Sequence, residues 1–358
     1  MKKLNFLIAL NLAIISTLSV SCSMENDDPD NWKNIKNCPY LSGIPGTFLE
    51  DMAIDNNNVL YFLTGETDLE LLKNWPSTSS YIPMKGYLSR KINEKEGFEI
   101  LAEHYGGKLC FDKNNQLFLM TYNTVYKLDD KSFDKTIIVE TSGMLEFIDV
   151  DNFNNIWIGG MQTGLYKIDN NMNVTHYDVD NSILPTNSMT NIHIDKDNNI
   201  WIALWDIKGV LKINNDEWIV YPNVADQNIW SLVTDKNGHL WIGTGHFNEA
   251  NPLMRFDGLK WENIIPRNDK NETVSGTIRH LRSDGNKIYL TCEHVRVFSN
   301  GGGAEFASSE LLTFDGEKWN KIKTIPENEV IRDLVVDHYR NAVWVVNPNQ
   351  GIFKVPIN

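Results

Sequence analysis

Positive charge is scarce in this sequence. Lys and Arg together number 33 against 47 Asp and Glu, which gives the 358-residue chain a formal net charge of −14 at pH 7. Nucleic acids and anionic lipid headgroups are both bound through Lys and Arg. The charge balance therefore argues against both, and we expect no nucleic-acid partner.

Cysteine is rarer still, with four residues in the chain. Cys22 directly follows an N-terminal apolar segment, which leaves Cys38, Cys110 and Cys292. Three cysteines cannot form a complete disulfide framework, and their spacing is not that of zinc ligands. We expect them to be packing residues, with one bridged pair as the alternative.

Established catalytic motifs are missing as well. The sequence contains no G-x-S-x-G elbow, no H-E-x-x-H helix and no phosphate-binding glycine loop. Its Asp-rich turns lack the twelve-residue pattern of calcium loops. We therefore expect no catalytic residues of these types and no cofactor, with a divalent ion kept as an alternative below.

Only one long apolar run occurs, at residues 6–20, and it follows Lys2 and Lys3. It is shorter than the ~20 residues of a membrane-spanning helix, so residues 1–21 are predicted to be a secretory signal peptide. The segment from Leu18 to Cys22 resembles a bacterial lipoprotein signal, which implies acylation of Cys22 and anchoring in the outer membrane. An ordinary cleaved signal peptide is the alternative.

Residues 22–30 are polar and acidic, and we interpret them as a flexible tether between the anchor and a folded domain. This stretch resembles the acidic segment that follows the lipidated cysteine in surface lipoproteins of Bacteroidetes. The resemblance implies an exported protein that is exposed at the cell surface.

An internal repeat predicts the fold. The segments beginning at Phe147, Asn191 and Ser231 share two alternating strands around an Asp-x-x-(Asn/Gly) turn, with a Trp six residues after the Asp. Asp, Asn and Gly suit tight hairpin turns. The same frame, degraded, occurs four more times, so the seven turn aspartates are Asp55, Asp112, Asp151, Asp195, Asp235, Asp284 and Asp337.

Successive turn aspartates lie about 40–57 residues apart, which fits four-stranded β-propeller blades with insertions. We therefore predict an all-β chain whose residues 31–358 form a single seven-bladed, monomeric propeller of antiparallel blades. The chain ends after the third strand of its last repeat. Because the sequence around Trp32 mirrors the fourth strand at Trp319, we expect the N-terminal strand near Trp32 to close the ring and cover a sheet edge.

The motifs D-x-x-(G/N)-x-I/L-W-I-G and G-L-Y-K-I resemble the propeller repeats of two-component regulators and of streptogramin lyases. The resemblance is strongest in the third to fifth repeats. It implies the propeller fold far more than any one function, because propellers serve both binding and catalysis.

Alternate residues of each first strand are expected to face the central channel, namely those two and four before the turn Asp. The mouth where first strands begin is the default site for a ligand. We predict a ring of ligand-binding residues at the mouth, with His193, Asp149 and Arg282 one layer deeper; the ring consists of Asp51, Lys108, Asn191, Ser231, His280 and Asp333.

Aromatic residues are abundant, with 11 Trp, 12 Tyr and 15 Phe. Eight Trp fall on second or fourth strands, where packing explains them. Packing does not explain Trp75, Trp205 and Trp230, and we predict that they bind ligand on the mouth face. His246 is predicted to join them from an equivalent loop. Two long insertions, residues 65–85 and 293–309, map to this face and are typical of recognition loops.

These features favour a lipoprotein that binds a ligand, a glycan or a partner protein, at the channel mouth. One alternative is a metal-assisted lyase or lactonase whose ion would be held by Asp51, Asn191, His193, His280 and Asp333. The other is a structural accessory subunit of an outer-membrane complex.

Overall fold

The computed structural model describes residues 41, 44–67, 84–91, 97–104, 107–215, 217–245, 253–297, 304–325, 331–347 and 351–357. The predicted signal peptide and tether, Cys22, Trp32, Cys38, Trp75 and His246 lie outside the described residues. The described residues form β-strands and turns, without an α-helix. None of this part of the chain forms a helix long and apolar enough to cross a membrane.

Seven antiparallel sheets follow one another along the chain, and we number them as blades 1 to 7. Within each sheet the strands pair in sequence order. Blades 1 to 4 comprise β1 (Phe48–Ile54), β2 (Leu60–Thr67), β3 (Met84–Lys91) and β4 (Glu99–His104); β5 (Lys108–Phe111), β6 (Leu117–Met120), β7 (Thr124–Leu128) and β8 (Lys135–Glu140); β9 (Met144–Val150), β10 (Ile156–Met161), β11 (Leu165–Ile168) and β12 (Val174–Tyr177); β13 (Met189–Ile194), β14 (Ile200–Leu204), β15 (Gly209–Asn214) and β16 (Glu217–Tyr221).

Blades 5 to 7 comprise β17 (Ile229–Thr234), β18 (Leu240–Thr244), β19 (Leu253–Phe256) and β20 (Trp261–Ile264); β21 (Thr277–Ser283), β22 (Ile288–Val297), β23 (Ala304–Phe314) and β24 (Trp319–Ile325); β25 (Asp333–Asp337), β26 (Ala342–Asn347) and β27 (Gly351–Pro356). The predicted seven-bladed propeller is confirmed. Blade 7 has three described strands, so the closing strand near Trp32 stays a prediction.

The turn Asp organises each first hairpin. Asp195 is typical, because its Oδ1 accepts hydrogen bonds from the backbone N–H groups of Asp197 and Asn199 at 3.0 and 2.8 Å. Its Oδ2 accepts the indole N–H of Trp201 at 3.1 Å, which explains the six-residue spacing. The third residue after the Asp has a positive φ of 61–81° in blades 1 to 5, which favours Asn or Gly there.

Asn side chains of these turns clasp neighbouring blades on the face where the turns lie. Asn115, Asn154 and Asn198 each accept a hydrogen bond from a backbone N–H of the preceding blade, at 2.8, 2.7 and 2.6 Å. Blade 7 is clasped to blade 1 by Arg340, whose Nη2 donates to the carbonyl of Asn58 at 2.8 Å. In blade 5 the equivalent turn residue is Gly238, which has no side chain to make such a clasp.

Apolar clusters lie between successive blades. The ring is sealed where Met52 and Phe62 of blade 1 pack with Trp344 and Val346 of blade 7. The predicted packing role of Trp157, Trp201, Trp241 and Trp344 is confirmed, since each side chain is buried. Cys110 and Cys292 are free thiols and pack in two of the clusters.

Two insertions differ from expectation. Residues 293–309 are predicted as a loop, but β22 continues to Val297 and β23 begins at Ala304, so most of this insertion is an extended hairpin. Strand pairing satisfies backbone groups that a loop would leave to water. In the first insertion β2 extends to Thr67 and β3 begins at Met84, and the segment between them lies outside the described residues.

Gly243 lies where blades 5 and 6 approach most closely. A methyl group on Gly243 would lie 2.4 Å from Ser231 Oγ and 2.5 Å from Ile278 Cγ2. We expect Gly243→Ala to lower the free energy of unfolding by about 1–3 kcal/mol through overpacking, measured by denaturant titration. Gly97→Ala is the matched control, because its methyl group would meet nothing within 4 Å. Equal stability of the two variants would contradict this account of the interface.

Candidate functional site

The first strands of all seven blades surround a central cavity of about 330 Å³. It brings together six of the predicted site residues, with Asp149 beside them: Asp51, Lys108, Asn191, His193, Arg282 and Asp333. His280, Trp205 and Trp230 do not line this cavity. Trp75 and His246 lie outside the described residues.

The expected division between channel-facing and packing positions is wrong in part. Met52, Leu109 and Ile148, each three residues before its turn Asp, line the cavity, and so does Phe147, which also packs in the cluster between blades 3 and 4. Ser231 is fully buried, and its Oγ contacts the Ile278 carbonyl of blade 6 at 3.5 Å. Both faces of a blade are covered by neighbours, so alternation along the inner strand points side chains toward the preceding or the following blade. Channel exposure then depends on the size and shape of each side chain.

Several predicted site residues tie their blade to the next one. Asp51 Oδ2 accepts the Leu109 backbone N–H at 2.6 Å. Lys108 Nζ donates to the Glu146 carbonyl at 2.7 Å, and Arg282 donates to the Asp333 carboxylate. These polar side chains therefore hold the ring together as well as line the cavity.

Two carboxyl groups of the cavity, those of Asp51 and Asp149, hold protons unusually tightly. Burial, together with the nearby charge of Asp333, raises the pKa of Asp51 to about 7. Burial raises the pKa of Asp149 to about 6, although the charge of Arg282 lowers it. Near neutral pH these groups are therefore partly protonated, and each can both donate and accept hydrogen bonds.

The two histidines are buried in opposite tautomers. The Thr234 backbone N–H donates to His193 Nε2 at 3.0 Å, so the proton of the neutral ring is on Nδ1. His280 Nε2 lies 3.0 Å from the Ile331 carbonyl and must donate to it, so the proton is on Nε2. Burial lowers the pKa of both rings to about 4, which keeps them neutral. His280 serves the junction of blades 6 and 7, not the cavity.

The predicted ligands of a divalent ion do not assemble. Among the described residues, no group of three His, Cys, Asp or Glu side chains is placed to hold a metal. The Nε2 lone pair of His193 already accepts a backbone N–H, and Asp333 is paired with Arg282. Binding of an ion between them would require breaking these bonds.

A second ring of residues was missed by sequence reasoning. Five first strands contain a β-bulge at the fifth residue before the turn Asp. A bulge leaves its extra residue outside the ladder and re-aims the side chain. The bulge residues are Glu50, Glu146, Thr190, Trp230 and Arg279, and the same position is Gly107 in blade 2 and Arg332 in blade 7. We call these seven residues the rim.

Electrostatics places members of the rim near one another. Burial raises the pKa of Glu146, and the charges of Lys108, Arg279 and Arg332 lower it. Arg332 likewise lowers the pKa of Glu50, which burial raises. Since charges act strongly only at short range in salt solution, residues of blades 1, 2, 3, 6 and 7 converge at the mouth.

Trp205 and Trp230 form one aromatic surface beside the rim. Their rings contact edge to face with centroids 5.2 Å apart. The Arg279 guanidinium lies 4.2 Å from the Trp230 ring centre, and its Nε donates to Glu293 Oε2 at 3.0 Å. Both Trp side chains are half-buried. Packing therefore accounts for part of their role, which the sequence alone did not indicate.

The fold and the repeat define the class of this protein: it is a seven-bladed β-propeller. A family model described as two component regulator propeller matches residues 223–246, which contain the first hairpin of blade 5. This segment is therefore similar to a propeller repeat of the two-component-regulator type. No curated protein matches the sequence at a significant level.

Solved structures share the fold at low sequence identity. The extracellular domain of the proposed one-component system BT4673 from B. thetaiotaomicron is 16% identical, with a TM-score of 0.58, over 95% of this chain but only 42% of that one. Virginiamycin B lyase from Staphylococcus aureus is 10% identical, with a TM-score of 0.59, over 90% and 96% of the two chains. YCF48 from Cyanidioschyzon merolae is 10% identical, with a TM-score of 0.58, over 91% and 98%. At these identities the likeness concerns the fold alone.

Proposed function

We propose that this protein is an exported propeller, lipid-anchored to the outer membrane through Cys22, that binds a saccharide or a segment of a partner protein at its channel mouth. One observation carries the proposal: seven first strands converge on a cavity of about 330 Å³, and bulges turn further polar and aromatic side chains toward its rim. Concave sites with a few convergent polar groups on a rigid scaffold are typical of ligand binding.

Export rests on the sequence, through the apolar segment after Lys2 and Lys3 and the cysteine that follows it. The similarity to an extracellular domain of B. thetaiotaomicron agrees with this location. The acidic stretch after Cys22 suits a tether that would hold the propeller away from the membrane surface.

Binding is favoured over catalysis by the bonds that the cavity residues already make. His193, Asp51 and Arg282 each hold the neighbouring blade, so they are not free to act on a substrate without loosening the ring. In the described part of the chain, the side chains of the rim residues Trp230 and Arg332 make no hydrogen bond to a neighbouring blade.

The test is a comparison of wild type with Trp205→Ala/Trp230→Ala on a glycan array and in capture of envelope proteins. We expect at least a tenfold loss of affinity for the ligand found, because exposed aromatic faces dominate many interfaces. Tyr339→Ala is the control, since this exposed ring lies on the turn face. Unchanged binding would overturn the proposal, and turnover of a bound saccharide or lactone that depends on an added divalent ion would favour the lyase or lactonase.

A further inference from the structure

The rim separates its charges around the mouth. Blades 1 and 3 contribute Glu50 and Glu146, with Lys108 of blade 2 between them. Blades 6 and 7 contribute Arg279 and Arg332. The mouth of this acidic protein therefore has a positive side, and the aromatic surface of Trp230 adjoins it.

The acidic side is largely satisfied within the protein. Glu50 Oε2 accepts the Gly107 backbone N–H at 3.0 Å. Burial raises the pKa of both Glu50 and Glu146, which weakens their tendency to carry charge. The charges of Lys108, Arg279 and Arg332 lower the pKa of Glu146, and that of Arg332 lowers the pKa of Glu50. Both acidic side chains therefore have a hydrogen-bond donor or cations of the protein beside them.

On the positive side, Arg279 and Arg332 have guanidinium N–H groups that make no hydrogen bond to a described residue. Arg279 uses its Nε on Glu293 and its flat face on Trp230, and neither Nη group has a hydrogen-bond partner among the described residues. The Arg332 side chain is exposed, and in the described part of the chain only its backbone N–H makes a hydrogen bond, to Val346. A guanidinium fixed by stacking presents its remaining N–H groups in the fork that matches a carboxylate or sulfate.

Stacking also fixes where a ring would lie. Arg279 sits against Trp230, and Trp230 meets Trp205 edge to face. A sugar ring whose C–H face contacts this aromatic surface would place a substituent beside Arg279. The arrangement pairs an apolar contact with an anion contact within one or two residues of the same ligand.

We propose that the ligand of the mouth is an acidic saccharide, in which a carboxylate or sulfate on the sugar ring is bound between Arg279 and Arg332 while the ring packs on Trp230 and Trp205. This inference rests on the proposed function and narrows its ligand to one chemical class. The carboxylate of a uronic acid and a sulfate ester present the same anionic oxygens, and the experiment separates them.

The experiment is calorimetric titration of the purified protein with trigalacturonate and with its methyl ester, which has the same scaffold without charge. A sulfated galactan oligosaccharide and its desulfated form make the second pair. We expect one charged member to bind at least tenfold more tightly than its uncharged counterpart, with affinity that falls as NaCl rises.

Arg332→Gln is the decisive variant, because its exposed side chain makes no hydrogen bond to any described residue whose loss would unfold a blade. We expect it to weaken binding of the charged saccharide about tenfold and to flatten the dependence on NaCl. Arg279→Lys keeps a cation beside buried Glu293 but removes the fork, and it should weaken binding as well. Lys196→Gln removes the same charge from the turn face and should change nothing.

Three results would overturn the inference. Wild type binds charged and uncharged members of both pairs equally; Arg332→Gln binds as wild type does; or only neutral saccharides bind, and do so in a Trp230-dependent manner. The last result would leave the proposed function standing. Absence of any binding that depends on Trp205 and Trp230, to saccharide or protein, would instead remove the proposed function itself.

Discussion

Asp51→Asn is expected to raise the free energy of unfolding at pH 8 by about 2–4 kcal/mol and to change it little at pH 4. Burial and the charge of Asp333 raise the pKa of Asp51 from 3.8 to about 7. Between those values the folded state holds a proton that the unfolded chain has lost, so the stability of wild type falls as pH rises toward 7. An Asn side chain still offers an oxygen to the Leu109 N–H.

The measurement is urea denaturation of both proteins at pH 4 and pH 8. Asp149→Asn should show the same sign over a narrower range, since the pKa of Asp149 is raised only to about 6. The exposed Asp269→Asn serves as a control without effect. His193 and His280, with pKa values lowered to about 4, act in the opposite direction in every variant and cancel in the difference. A variant less stable than wild type at pH 8 would contradict the prediction.

Asp195→Ala is expected to lower the free energy of unfolding by about 3–4 kcal/mol. The carboxylate is buried and accepts hydrogen bonds from two backbone N–H groups, from the Asn199 amide and from Trp201 Nε1. Alanine would leave these donors without partners inside a closed turn. Because blade 4 packs against blades 3 and 5, the loss should appear in global unfolding.

Asp197→Ala provides the matched control in the same turn. This residue is exposed, and among the described residues its side chain contacts only Lys196, so its loss should cost less than about 0.5 kcal/mol. Thermal and urea denaturation of the two variants and wild type measure both values. Similar stability of the two variants would mean that the turn Asp is not what holds the hairpin.

The turn chemistry was predictable because it is local. Asp, the positive-φ Asn or Gly and the Trp six residues later all act within one hairpin, so a single repeat contains its own explanation. Seven such turns at blade-like spacing then predict the ring. Blade 6 follows the same rule with a five-residue spacing. There the Tyr289 hydroxyl donates to Asp284 Oδ2 at 2.8 Å, in place of an indole N–H.

The site was less predictable because its geometry depends on neighbouring blades. Alternation along β17 cannot tell that Ser231 meets blade 6 and not the channel, since that requires the position of the next sheet. The bulges at Glu50, Glu146, Trp230 and Arg279 have no residue signature of their own. The one signal in the sequence is the composition of the fifth position before each turn Asp. Across the seven repeats this position holds two Glu, two Arg, one Trp, one Thr and one Gly.

In the described part of the chain, side-chain hydrogen bonds on the turn face join some pairs of neighbouring blades and not others. Blades 7, 1, 2, 3 and 4 are joined across that face by Arg340, Asn115, Asn154 and Asn198. Among the described residues, no turn side chain joins blade 4 to 5 or 5 to 6 in this way, because Gly238 and Gly285 stand at the turns. Blades 5 and 6, which carry Trp230 and Arg279, are therefore held together by the packing of their strands, as around Gly243, and not by turn side chains. The part of the mouth that carries the aromatic and cationic contacts thus owes its shape to close packing between blades 5 and 6, so a core substitution there would change the mouth as well as the stability.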